Sequence, residues 1–108
     1  MTTFDKREEG FEKKYALDEE QKFKATARRN RRLGLWIAEK IGLSGAEADV
    51  YSKAVVAADF EEAGDDDVFR KVRADLDAKG AKNISDEEIR TKMDELLLAA
   101  IEEVKAGK

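Results

Sequence analysis

Between residues 18 and 108 apolar side chains recur at helical spacing, and each such run is bracketed by a capping residue at its start or a glycine at its end. No proline interrupts them, so no backbone donor is missing and no kink is imposed inside a run. Asp18 with Gln21 is a capping pattern for a first helix that passes through Trp36 to about Ile41 and stops at Gly42. Ser44 with Glu47 opens a second, through Val50, Ala54, Ala58 and Phe60 to Gly64. Asp65, Asp66 and Asp67 begin a third, where carboxylates cap orphan amides and oppose the positive end of the helix dipole. It carries Val68, Val72 and Leu76, with Phe69 beside them, and ends at Gly80. Ser85 with Glu88 opens the last, whose stripe is Ile89, Met93, Leu96, Leu97, Ala100, Ile101 and Val104. No alternating strand pattern and no internal repeat competes, and the short connections bring neighbouring helices together. The expected fold is all-α: a four-helix bundle over residues 18–108, preceded by a flexible N-terminal arm, residues 1–17. Its expected core is Leu33, Trp36, Ile37, Ile41, Val50, Val68, Val72, Ile89, Met93, Leu97 and Ile101, each large side chain contributing roughly 1.5–3 kcal/mol when fully buried.

Composition removes whole classes of chemistry. The chain has no cysteine, hence no disulfide framework and no thiolate. It has no histidine, hence no imidazole base or imidazole metal ligand, so neither an enzyme nor a metal site is expected, and no cofactor. Asp65, Asp66 and Asp67 with Glu61 and Glu62 lack the alternating oxygen ligands, central glycine and closing glutamate of a calcium loop, and capping accounts for them better. No apolar run approaches the roughly 20 residues of a membrane span, and the charged start is unlike a signal peptide. A soluble, cytoplasmic protein, monomeric when free, is expected.

The net charge of −4 averages three unlike regions. Residues 1–20 hold four cations and seven acids, residues 21–38 six cations and no acid, and residues 39–108 eleven cations and eighteen acids. The basic run Lys22, Lys24, Arg28, Arg29, Arg31 and Arg32 offers a secondary electrostatic contact, to nucleic acid, to nucleotide phosphates or to an acidic protein surface. Its simpler reading is a solvated helix face that answers acids on neighbouring helices. The overall acidity argues against a general nucleic-acid binder.

The arm has a pattern of its own. Phe4, Phe11 and Tyr15 are seven and four residues apart, which places them on one face of a helix, with Lys6, Arg7 and Lys14 among the charged residues around them. Glu9 and Lys13 are spaced to support that helix, whereas Gly10 opposes it by about 1 kcal/mol relative to alanine. About fifteen residues are marginal as a free helix, so the arm is expected to be disordered alone and helical when its stripe finds a groove. The groove could belong to a partner or to the chain's own domain, and the spacing does not choose. The first helix, starting near Asp18, is expected to continue the arm's direction into the bundle.

Three blocks then stand in a familiar order: KFKATARRNRRLGLWIAEKIGL at 22–43, VVAADFEEAGDDDVFRKVRADL at 55–76 and IRTKMDELL at 89–97. Together they resemble the zeta subunits of alphaproteobacterial F-type ATP synthases, over nearly the whole chain. The resemblance implies an inhibitor of ATP hydrolysis by the catalytic head, functionally analogous to the mitochondrial ATPase inhibitor protein on an unrelated body. Its implied partners are the α, β and γ subunits, the arm entering a catalytic α/β interface near γ, and its implied location is peripheral to the inner membrane when bound. Phe4, Lys6, Arg7, Phe11, Lys14 and Tyr15 are then the partner-binding residues, and Gly10 departs from the alanine expected at that point. The alternative, of a different class, is a small regulator that binds nucleic acid or nucleotide through the basic first helix.

Overall fold

The computed structural model describes residues 17–61, 65–81 and 83–108, and the side chains of these except 60, 61, 65 and 66. Among the described residues the chain forms four helices: α1 Glu19–Lys40, α2 Gly45–Glu61, α3 Asp65–Ala78 and α4 Asp86–Lys105. The all-α four-helix bundle expected from the sequence is the observed fold. Residues 1–16 of the arm lie outside the described residues, as do the side chains of Asp65 and Asp66 that were expected to cap α3.

Local signals set the helix ends. At the start of α1 the Asp18 carboxylate accepts from the Gln21 amide at 2.7 Å while the Gln21 side chain accepts from the Asp18 amide at 3.2 Å, a complete capping box. At the start of α4, Ser85 Oγ accepts from the Glu88 amide at 3.0 Å, and Asp86, Glu87 and Glu88 fill the first turn. Gly42 and Gly80 adopt φ of +83° and +76°, where a Cβ would be strained, and so close α1 and α3. In both cases the next amide reaches back to the helix, Leu43 to the Ala38 carbonyl at 2.8 Å and Ala81 to the Leu76 carbonyl at 2.9 Å, the Schellman pattern.

Helix α1 is the spine, packing most extensively on α2 and α4. One core cluster joins all four helices through Leu33 and Ile37 of α1, Val55 of α2, Val68, Phe69, Val72 and Leu76 of α3, and Ile89 and Met93 of α4, with Ile84 from the preceding loop. A second fills the space between the start of α1 and the end of α4: Ala25, Leu97, Ala100, Ile101 and Val104, with Leu17 packed against it. The α1–α2 crossing is close at Gly34, where a Cβ would lie 2.6 Å from the Ser52 Cα. Ser52 is therefore buried at the seam, its hydroxyl donating to the Asp49 carbonyl at 2.7 Å.

That crossing corrects one expected core residue. With Ser52 turned inward, Val50 sits about 160° around the helix at roughly 100° per residue, and it is 66% exposed. Trp36 and Ile41 are partly buried, packed against the main cluster, and the Trp36 ring lies 5.5 Å from Lys40 Nζ and 5.8 Å from Lys92 Nζ. The other eight expected core residues are buried.

Polar ties complete the packing of α3. Tyr51 donates to Asp75 Oδ2 at 2.7 Å, Lys71 Nζ reaches the same oxygen at 3.1 Å, and burial, with that hydrogen bond second, pushes the Tyr51 phenol up. Arg73 donates to the Ile84 carbonyl at 2.7 Å, to Asp77 at 2.9 Å and to Asp86 at 3.1 Å, fastening the end of α3 to the start of α4.

Candidate functional site

The exit of the arm is built from the first turns of α1 and the last turn of α4. Leu17, just outside the cap, turns onto the small apolar cluster of Ala25, Leu97, Ala100, Ile101 and Val104. Asp18 has φ −80° and ψ 173°, extended backbone, so α1 begins there and does not run back toward residue 16. Both polar groups that define the cap hold Asp18 outside the helix, and the expected direction of the arm ahead of it lies outside the described residues. Beside the exit, Asp18, Gln21, Lys24, Arg28, Val104 and Lys108 line a polar recess of about 360 Å³.

The basic run divides by its position around α1. Lys22, Lys24 and Arg31 are exposed. Lys24 pairs with Glu20 at 3.1 Å, and Arg31 lies 3.9 Å from Asp49. Arg28 and Arg32, one turn apart, converge on a single acid of α4: Arg32 Nη1 and Nη2 donate to the two oxygens of Glu103 at 2.8 and 2.6 Å, and Arg28 Nη1 joins at 3.2 Å. Arg28 Nη2 also donates to the Lys108 carbonyl oxygen. The two-pronged hydrogen bonding from Arg32 prevails over the desolvation of burial and holds the Glu103 carboxyl below the usual glutamate range, with the charges of Arg32 and Arg28 adding to it. The same bonds to Glu103 raise the Arg32 guanidinium.

Arg29 departs from the outer face to which the sequence reading assigned it. It is fully buried, and its Nε donates to Asn30 Oδ1 at 2.8 Å. Four residues before Leu33 and eight before Ile37, it occupies the stripe that α1 turns inward. That spacing was the available signal, and the density of neighbouring cations obscured it. Of the six basic residues, the fold engages Arg28 and Arg32 with α4, buries Arg29, and leaves Lys22, Lys24 and Arg31 at the surface. Phe23, between the two lysines, is 57% exposed.

The other candidate residues, Phe4, Lys6, Arg7, Phe11, Lys14 and Tyr15, lie outside the described residues. Among the described residues no group of three or more acids is arranged to hold a metal ion, and no helix is long and apolar enough to cross a membrane.

Comparison with known proteins adds to this geometry. A family model described as ATPase inhibitor subunit zeta matches residues 1–103, covering both the arm and nearly all of the bundle. A solution NMR structure of a protein is similar in fold, with a TM-score of 0.68 and 48% identity, over 80% of this chain and 96% of that one. No curated protein matches the chain.

Proposed function

This chain belongs to the ATPase inhibitor subunit zeta family, and we propose that it inhibits ATP hydrolysis by the catalytic head of an F-type ATP synthase through its N-terminal arm. The observation that carries the reading is the extent of the family match, which begins at residue 1 and so includes the arm with the body. The arm ahead of Leu17 enters a catalytic α/β interface near γ and folds there as a helix. Phe4, Phe11 and Tyr15 bury their rings against the groove, and Lys6, Arg7 and Lys14 meet acids along its rim. The obstruction is steric: a helix wedged between moving subunits blocks the rotation that hydrolysis drives. The body stays outside, and the protein is cytoplasmic, peripheral to the membrane when bound.

The alternative through the basic helix has less to stand on. Phosphate binding needs unengaged cations along one face, whereas Arg28 and Arg32 are committed to Glu103 and Arg29 is interior. The test is hydrolysis by purified catalytic heads titrated with the full chain and with residues 17–108. Saturable inhibition by the full chain and none by the shortened one is the expected result. Equal inhibition by both would move the function to the body.

A further inference from the structure

Three features bear on how the arm is presented at its exit from the body. The first is the cap: the Asp18 amide donates to the Gln21 side chain, as the extended ψ of 173° allows, so the hydrogen bond by which a helix would run back through Asp18 is replaced. The second is Leu17, whose packing on Ala25, Leu97, Ala100, Ile101 and Val104 fixes the point at which the chain leaves the body.

The third is register. Phe11 lies 18 residues before Arg29, and Tyr15 lies 18 before Leu33, which is about five turns of a helix with 3.6 residues per turn. On one unbroken helix Phe11 and Tyr15 would therefore share the azimuth of Arg29 and Leu33, both fully buried. That is the side covered by the rest of the bundle, and the end of α4 flanks the start of α1, with Val104 and Lys108 in the same recess as Lys24 and Arg28. A groove wall closing over the stripe would run into the body within a few turns.

We infer that the Asp18–Gln21 capping box and Leu17 are positioning residues for inhibition, breaking the helix between arm and body so that the aromatic stripe meets its groove clear of the bundle. The inference rests on the proposed function, since it concerns the same arm. It makes the break a requirement of the bound state and not only a stabiliser of α1.

Three variants of the full chain test it: Gly10→Ala, Gly10→Ala with Asp18→Ala and Gln21→Ala, and Gly10→Ala with Asp18→Asn, which keeps a capping oxygen. Two readouts are taken for each, the backbone carbon chemical shifts at residues 17 and 18 in the free protein and the concentration that half-inhibits ATP hydrolysis. Gly10→Ala alone should lower that concentration by up to about fivefold by favouring the bound helix. Removing the cap as well should give helical shifts at Leu17 and Asp18 and raise the concentration about tenfold over Gly10→Ala, although the arm is then more helical. Asp18→Asn should keep both the extended shifts and the strong inhibition. An uncapped variant whose helix runs through Asp18 and which still inhibits as well as Gly10→Ala would overturn the inference. So would shifts at residues 17 and 18 that stay extended without the cap. If instead neither Gly10→Ala nor deletion of residues 1–16 changes inhibition, the reading of the arm fails first and the positioning role falls with it.

Discussion

Replacing Gly34 with alanine sets two physical rules against each other. In an exposed helix interior the change stabilises, by up to about 1 kcal/mol, because alanine loses less backbone entropy than glycine. At Gly34 the new Cβ would lie 2.6 Å from the Ser52 Cα, 3.1 Å from its Cβ and 3.2 Å from Val55 Cγ2. Ordinary carbon contacts are about 3.5–4.0 Å, so α1 and α2 must separate by nearly 1 Å at their crossing. The first neighbour is backbone, which no rotamer change can move aside. Separation also loosens Leu33 and Ile37 against Val55. Overpacking of this kind costs about 1–3 kcal/mol, and a clash with backbone belongs in the upper half of that range. After subtracting the propensity gain, Gly34→Ala should destabilise the bundle by about 1–2 kcal/mol. Urea unfolding followed by circular dichroism reads this as a lower midpoint with an unchanged slope. A variant as stable as the parent, or more stable, would refute the close crossing.

Other perturbations separate interior from surface along the same helix. Arg29→Glu should cost about 3 kcal/mol or more by placing an unmatched charge in the core, whereas Arg31→Glu should change the unfolding free energy by less than about 1 kcal/mol. Trp36→Ala should cost about 2–3 kcal/mol, below the 3–5 typical of a fully buried aromatic, since the ring is only partly covered; denaturant midpoints measure it. Glu103 has a folded pKa below its unfolded value, so its contribution is complete above the ordinary glutamate range and is lost as pH falls through the lowered folded value. Melting temperatures of the parent and Glu103→Gln should therefore converge on acidification, the variant melting lower at neutral pH.

Helix ends were legible because capping is local chemistry. Asp18 with Gln21, the Ser85 oxygen, and the glycines at 42 and 80 act within a few residues of where they stand in the sequence. The inward stripes of α3 and α4 were legible too, since their apolar residues cluster on one side. Helix α2 is different: its apolar residues lie nearly all round, and only the close approach of Gly34 turns Ser52 inward and Val50 outward. Tertiary contact decided there, and periodicity had nothing to decide with. Arg29 is readable from its spacing to Leu33 and Ile37 while its charge points the other way, and charge is a weaker guide to orientation than azimuth when several cations are adjacent. At the arm, spacing gives the aromatic stripe, and the Asp18–Gln21 pair gives the point at which α1 starts. That start depends on which of two hydrogen-bonding arrangements Asp18 adopts, and the capping arrangement prevails.

The central claim is that aromatic side chains of the arm carry inhibition, and a titration of ATP hydrolysis with the variant Phe11→Ala, Tyr15→Ala tests it most directly. Anchors of this kind commonly cost at least about 2 kcal/mol each, so the half-inhibiting concentration should rise by two orders of magnitude or more while the melting temperature of the bundle stays at the parent's value. Inhibition by the double variant at the parent's concentration, with the bundle intact, would contradict the account and direct the search to the exposed cations Lys22, Lys24 and Arg31.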